Sequence, residues 1–261
     1  MLQLSFSLFD LEYFLLILVR VSCFVFVAPF FSLKNAPGQV RIGLSVFTSL
    51  LIYEVITPAE IPVTYNTVTG YAVIVMKEAI VGLVLGFGAT LCSYIVNFAG
   101  SVIDMETGLA MATIFDPSTN QSTSITGGFY QYVVTMMLIA TGMYRYLLGA
   151  IADSFTLIPV NGAVFRQESL LGTMISFMGE YIVIGFRICL PVFCVMMLLN
   201  AILGVLAKVS PQMNMFAVGI QLKIVVGLSV MFFTVSMLPG ASDFIFQQMK
   251  KMISAFAGGM M

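Results

Sequence analysis

Long apolar stretches dominate this chain, and they constrain its fold more than any other feature. Six of them stand out: residues 11–33, 42–57, 70–103, 125–151, 171–206 and 213–239. Charged side chains make up 9% of the residues, against about a quarter in soluble domains. A soluble fold cannot bury so much apolar side chain, because its surface needs polar cover. We therefore expect an all-α, polytopic membrane protein whose helices face lipid or partner chains.

The lengths of these stretches do not fit a regular bundle of six spans. A lipid-spanning helix needs about 20 residues, and 42–57 is shorter than that. As straight helices, 70–103 and 171–206 would each extend about 50 Å, at ~1.5 Å per residue. We expect both of them to tilt, to break, or to run beyond the bilayer.

Glycine and proline mark the expected interruptions of the two longest stretches. Gly82, Gly86 and Gly88 lie in the third stretch, and Pro191 lies in the fifth. Proline removes a helical hydrogen bond, and kinks concentrate at such residues. The spacing Gly82-x-x-x-Gly86 also permits close contact between helices.

Charged residues inside the apolar stretches need partners. They are Arg20, Lys77, Glu78, Glu180, Arg187 and Lys223. Each costs about 2.5–3.5 kcal/mol at a helix centre that faces lipid. One interpretation is an ion or proton relay in a small-molecule transporter; the other is pairing with neighbouring subunits or snorkelling to an interface. Most of these charges are basic and the chain has no histidine, so we favour interface and structural roles.

These charges also predict that the chain does not fold alone, because Arg20, Glu180 and Arg187 would lack partners. Several other functions are disfavoured. A net charge of −1 does not favour nucleic acid. The four cysteines have no zinc-ligand spacing. No catalytic or phosphate-binding motif is present, so we expect no enzyme activity, no metal and no cofactor.

The C-terminal residues predict a short amphipathic helix. Ser242 is the expected cap, with the helix beginning near Asp243. Apolar residues recur at helical spacing beside Lys250 and Lys251: Ile245, Met249, Met252, Ile253 and Phe256. Such a helix lies on a membrane surface or docks on a partner, and the sequence favours neither.

One segment carries a specific family resemblance. Residues 206–223 contain Pro-Gln-Met-Asn-Met-Phe-Ala-Val-Gly at 211–219. This resembles the hallmark of the FliR family of flagellar biosynthetic proteins, a basic or small residue followed by Pro-Gln-x-Asn-x-Phe-x-x-Gly. Residues 104–118 resemble the family's central loop, and residues 20–44 resemble its N-terminal region. The injectisome counterpart shares these segments in looser form.

The resemblance implies a core subunit of a type III secretion export gate, in the bacterial inner membrane at the flagellar basal body. Members assemble with FliP-like and FliQ-like proteins as helical hairpins wound into a hetero-oligomeric, superhelical channel. FlhB-like and FlhA-like components join it, and unfolded flagellar proteins pass through. By this resemblance, residues 1–170 are a FliP-like helical part with a central loop. Residues 171–261 are a FliQ-like hairpin plus the amphipathic helix. Alternatives are an injectisome gate subunit and a small-molecule secondary transporter.

A resting protein-conducting pore must not leak ions, and methionine suits such a seal because it is unbranched and soft. We therefore predict, mainly from the resemblance, that residues 105–122 form a mobile plug. The alternative is a helix end and loop packed on neighbours. The residues assigned to the plug are Met105, Gly108, Met111, Ile114, Phe115, Asp116 and Pro117.

Residues 210–214 predict a tight hairpin. Ser210 is the expected cap, and Pro211 fits the first helical turn. Gln212 and Asn214 then hydrogen-bond neighbouring chains, or, as the alternative, contact the exported substrate.

Overall fold

The computed structural model describes residues 8–31, 37–56, 65, 67–111, 124–210 and 214–261. Within these ranges all regular secondary structure is helical, which confirms the predicted all-α class. A 3₁₀ turn, Val235–Met237, connects the last two α-helices. The α-helices are α1 (Leu8–Val27), α2 (Gly38–Val55), α3 (Val68–Thr107), α4 (Ile125–Ala140), α5 (Met143–Leu157), α6 (Gln167–Val209), α7 (Met215–Thr234) and α8 (Leu238–Gly259).

Three stretches of the described residues are long and apolar enough to cross a membrane. They are α3, α6 and the continuous run Ala217–Gly259. The pair α4 and α5, bent by 70°, supplies a fourth if both helices belong to one span. The expectation that the apolar stretches do not form a regular six-span bundle is confirmed. With 40 residues, α3 extends about 60 Å, at ~1.5 Å per residue.

The predicted interruptions of α3 and α6 are wrong. Helix α3 continues through Gly82, Gly86 and Gly88, and Pro191 lies inside α6. The glycines serve packing instead, since a Cβ at Gly82 would overlap the carbonyl oxygen of Arg20 on α1. The close contact predicted from Gly82-x-x-x-Gly86 is therefore confirmed, and it lies within the chain. A helix tolerates glycine where the absent side chain allows another backbone to approach.

A break that the sequence did not predict separates α4 from α5. Gly142 has φ +80°, a left-handed conformation that costs other residues ~1–2 kcal/mol. It lies inside the apolar stretch 125–151, where composition gives no sign of an end. The stretch therefore forms two short helices rather than one continuous helix.

The predicted amphipathic pattern of the C-terminal helix is confirmed, but the predicted first residue of the helix is wrong. Helix α8 begins at Leu238, so Ser242 lies inside it, is buried, and does not cap it. The predicted apolar side chains are all buried: Ile245, Met249, Met252, Ile253 and Phe256. Phe256 contacts Gly88 of α3, because a Cβ there would lie 2.6 Å from the ring. The apolar face of α8 thus docks on its own chain.

The chain divides into two compact units. Unit 1 comprises Met1–Cys92, Thr141–Phe177 and Gln247–Met261, and unit 2 comprises Ser93–Ala140 and Met178–Phe246. Apolar side chains form each core: Leu16, Phe24, Val81 and Leu147 in unit 1, and Ile95, Ile103, Leu138, Val192 and Met196 in unit 2. The division at residue 170, which rests on family resemblance, stays a prediction.

Candidate functional site

A buried ion pair connects α1 to α3 in unit 1. The Nε of Arg20 donates to Oε2 of Glu78 at 2.6 Å, and both side chains are 0% exposed. The close approach of α1 at Gly82 brings these two residues together. The prediction that Arg20 lacks a partner within the chain is therefore wrong.

Further hydrogen bonds extend this ion pair to the end of α5. Nη1 of Arg20 donates to the carbonyl oxygens of Ser154 at 3.2 Å and Ile158 at 2.9 Å. Its guanidinium lies 4.1 Å from the centre of the Phe155 ring. The Ser154 carbonyl also accepts from the N–H of Ile158 at 2.8 Å. Carbonyls at a helix C-terminus carry partial negative charge, so they suit a buried cation. Arg20 therefore joins α1, α3 and α5.

The second carboxylate oxygen of Glu78 is also used. Oε1 accepts a hydrogen bond from the backbone N–H of Asn161 at 2.9 Å, and Asn161 has φ +67°. The arrangement holds both charges in fixed positions, which suits a structural role better than the relay of a transporter. Lys77, beside Glu78, is half-buried.

In unit 2, Asp104 ties the end of α3 to the start of α4. Oδ2 of this buried carboxylate accepts from the Ser124 hydroxyl at 2.6 Å, and both oxygens lie 3.3 Å from the Thr126 nitrogen. Ser124 Oγ accepts in turn from the N–H of Gly127 at 2.7 Å, as a helix N-cap does. A carboxylate is also favoured at a helix N-terminus by the helix dipole.

The residues assigned to the plug begin where α3 ends. Thr107 is the last residue of α3, and Gly108 has φ +82° with open space where a Cβ would lie. Met105 is 67% exposed and Met111 is 45% exposed. Ile114, Phe115, Asp116 and Pro117 lie outside the described residues. The described part of the plug therefore presents two methionines that do not pack into the core.

The hairpin between α6 and α7 is capped differently from the prediction. The backbone N–H of Ser210 donates to Leu206 at 2.9 Å and continues the hydrogen bonding of α6, so Ser210 does not cap α7. Asn214 takes that role, because its side-chain oxygen accepts from the N–H of Ala217 at 3.4 Å. Pro211 and Gln212 lie outside the described residues.

The other predicted interface residues lie on α6 and α7. Glu180 and Lys223 are half-buried, and Arg187 is exposed. None of these three belongs to the Arg20–Glu78 network. They remain predicted interface residues.

Sequence reasoning missed the role of Asp104. The local signal was present, since Ser124 precedes an apolar run and lies three residues before Gly127, which is the spacing of an N-cap. What the sequence lacked was the pairing of Ser124 with a carboxylate 20 residues earlier.

Comparison with known proteins gives one consistent result. Residues 11–249 match the family described as bacterial export proteins, family 1. The chain is 30% identical over 227 residues to the flagellar biosynthetic protein FliR of Bacillus subtilis (strain 168), with 86% of each chain covered. It is 25% identical over 215 residues to FliR of Escherichia coli (strain K12), with 82% of this chain and 80% of that relative covered. FliR of Aquifex aeolicus (strain VF5) is 27% identical over 240 residues, and the match covers 91% of this chain and 90% of that relative.

Proposed function

Because this chain belongs to family 1 of the bacterial export proteins, we propose that it is a core channel subunit of the flagellar type III secretion export gate. In this role it passes unfolded flagellar proteins across the inner membrane at the basal body and catalyses no reaction itself. Its partners are FliP-like and FliQ-like proteins in one hetero-oligomer, with FlhB-like and FlhA-like components beside it. The flagellar names of the relatives favour this over the injectisome.

The length of an exposed apolar helix supports assembly with partner chains. Helix α6 has 43 residues and extends about 65 Å, at ~1.5 Å per residue. Only 28% of an apolar 18-residue segment of α6 is buried within the chain. Exposed apolar side chains occur along the helix from Leu171 to Val209. The hydrocarbon core is ~30 Å thick. To fit entirely within the hydrocarbon core, α6 would need to tilt by about 60° from the bilayer normal, whereas membrane helices tilt by ~0–40°. We infer that partner protein covers the remainder.

Native mass spectrometry tests this assembly. The full chain is expressed with its neighbouring genes, extracted in detergent and weighed. We expect one large hetero-oligomer that contains FliP-like and FliQ-like chains. A lone chain or a small homo-oligomer would instead favour a transporter. Genes beside it that encode virulence effectors rather than flagellar parts would favour the injectisome.

A pair of exposed valines makes the test specific to α6. Val205 lies on α6 and is 63% exposed, and Val164 lies outside any helix and is 55% exposed. We expect Val205→Asp to deplete the hetero-oligomer at least tenfold, because a buried unpaired charge opposes docking. Val164→Asp should leave it intact. Equal effects of the two variants would contradict partner contact along α6.

Within the gate, residues 105–122 are proposed to form a mobile plug. The end of α3 at Thr107, the left-handed Gly108 and the exposed Met105 and Met111 support this. Methionine side chains adapt to irregular surfaces, so they can seal a resting pore and still release it. Lys77, Glu180, Arg187, Lys223 and Gln212 are proposed as interface residues of the same assembly.

Membrane leakage tests the plug. Removing residues 108–116 should raise ion conductance of the assembled gate, and unchanged conductance would refute the plug. Gly108→Ala is a milder variant, since an alanine at positive φ is strained. Gly142→Ala is its control, because Gly142 has φ +80° and the same open surroundings. We expect leakage from the Gly108 variant alone.

A further inference from the structure

Unit 2 contains a cavity of about 390 Å³. It is lined by Tyr130 of α4, by Arg187 and Pro191 of α6, and by residues at the junction of α7 with α8. Ligand sites commonly measure ~300–1,000 Å³ and combine apolar walls with a few polar groups. The cavity therefore has the size of a small-molecule site.

Two irregularities of the backbone meet at this cavity. Pro191 has no N–H, so it cannot donate to the carbonyl of Arg187 four residues earlier. Ser236 and Met237, which also line the cavity, belong to the 3₁₀ turn between α7 and α8. Irregular helical backbone at membrane depth is tolerated where it lines a cavity.

Arg187 is the one charged residue among the described residues that line the cavity. Its side chain is exposed. The walls beside it are apolar, formed by Ile184, Ile188, Met237 and Phe244. Among the residues that the structure describes, the lining thus combines a single cation with a hydrophobic surface and includes no carboxylate.

We propose that this cavity binds an anionic phospholipid, with the phosphate on Arg187 and an acyl chain against the apolar wall. Guanidinium and phosphate form bidentate, charge-assisted hydrogen bonds, and basic pockets between membrane helices bind lipid headgroups. A single carboxylate side chain from a partner would neutralise Arg187 but leave most of the 390 Å³ empty. For Arg187 this site replaces the protein partner proposed above with a lipid, and it rests on the membrane location of the chain rather than on export.

Native mass spectrometry of the detergent-extracted full chain, with phosphatidylglycerol or phosphatidylcholine added, tests the site. We expect phosphatidylglycerol to remain bound at a collision energy that removes phosphatidylcholine. Arg187→Gln should reduce phosphatidylglycerol retention at least tenfold, and Arg187→Lys should reduce it less. Excess inorganic phosphate should not displace the lipid, because phosphate lacks the acyl chain; displacement would refute a lipid site.

Two further variants distinguish lipid binding in the cavity from a general effect of positive charge on lipid retention. Lys208→Gln removes an exposed cation from the same helix and should leave lipid retention unchanged. Ala241→Phe fills the cavity without altering charge and should reduce retention at least fivefold. Equal retention by the wild type and Arg187→Gln would overturn the proposal, as would a crosslink from position 187 to a partner's carboxylate. A hetero-oligomer that assembles but retains no lipid would overturn this site and leave the gate role intact.

Discussion

Replacing Glu78 with glutamine should destabilise the protein strongly, because it leaves the charge of Arg20 buried without a counter-ion. The amide oxygen of glutamine can still accept from the Asn161 N–H, but its NH₂ group then faces the Nε–H of Arg20. Breaking one side of a buried ion pair costs about 3–5 kcal/mol. At ~2–4 °C per kcal/mol for a chain of roughly this size, the unfolding midpoint should fall by about 6–20 °C.

The assay is thermal unfolding in detergent, followed by far-ultraviolet circular dichroism, which suits a helical chain without tryptophan. Glu54, which is exposed on α2, provides the control. Glu54→Gln should change stability by less than about 0.5 kcal/mol. If both variants shift the midpoint equally, the buried pair does not contribute as argued.

The double variant Arg20→Met with Glu78→Met distinguishes the energy of the ion pair itself from the cost of burying each charge. Arg20→Met alone should be costly as well, since the Glu78 carboxylate loses its counter-ion and the Ile158 carbonyl loses a donor. Removing both charges relieves that penalty, so the double variant should cost less than the two single changes added together. We expect a coupling energy of about 2–3 kcal/mol. Additive effects would refute direct pairing.

Three further variants test other contacts. Gly82→Ala should cost about 1–3 kcal/mol of stability through overpacking, whereas Gly43→Ala, with open space around it, should be neutral or stabilising; equal effects would contradict the close approach at Gly82. Asp104→Asn should lower the unfolding midpoint by an amount matching about 1.5–3 kcal/mol, the contribution of hydrogen bonds to a charged group, and no change would contradict the connection between α3 and α4. The Tyr65 hydroxyl donates to Glu12 at 2.7 Å, and this hydrogen bond raises the pKa of Tyr65. Its contribution to stability should therefore be present at neutral pH and be lost as pH rises through the raised pKa, so the stabilities of the wild type and Tyr65→Phe should converge at strongly alkaline pH.

Much of the fold follows from apolar patterning, and the errors share one cause. The apolar stretches identified most helices, but local residue types failed to locate where they break. Gly82 was expected to interrupt α3, yet packing of the α1 backbone compensates for its low helix propensity. Gly142 does end a helix, through a left-handed conformation that one sequence cannot distinguish from a packing glycine.

The candidate site was harder to predict, because its contacts join distant parts of the chain. Arg20 and Glu78 were both identified as costly charges, yet their separation of 58 positions in the sequence concealed that each is the other's partner. Neighbouring subunits were therefore expected to pair with Arg20, whereas Glu78 of the same chain does so. By contrast, the spacing of apolar residues in α8 gave its buried face correctly, because that pattern is local.

The hydrogen bonds of Arg20 and Glu78 join residues that the ribosome adds at different times. Glu78 and Asn161 are separated by 83 residues. At ~5–20 residues per second, the ribosome needs about 4–17 s to add them. During that interval the nascent chain contains Arg20 and Glu78 but not the α5 carbonyls that bind Arg20, and it does not yet contain Phe256, which covers Gly88. The helices synthesised first therefore wait for packing partners from later in the chain, and a product truncated before α5 would leave Arg20 without these carbonyls.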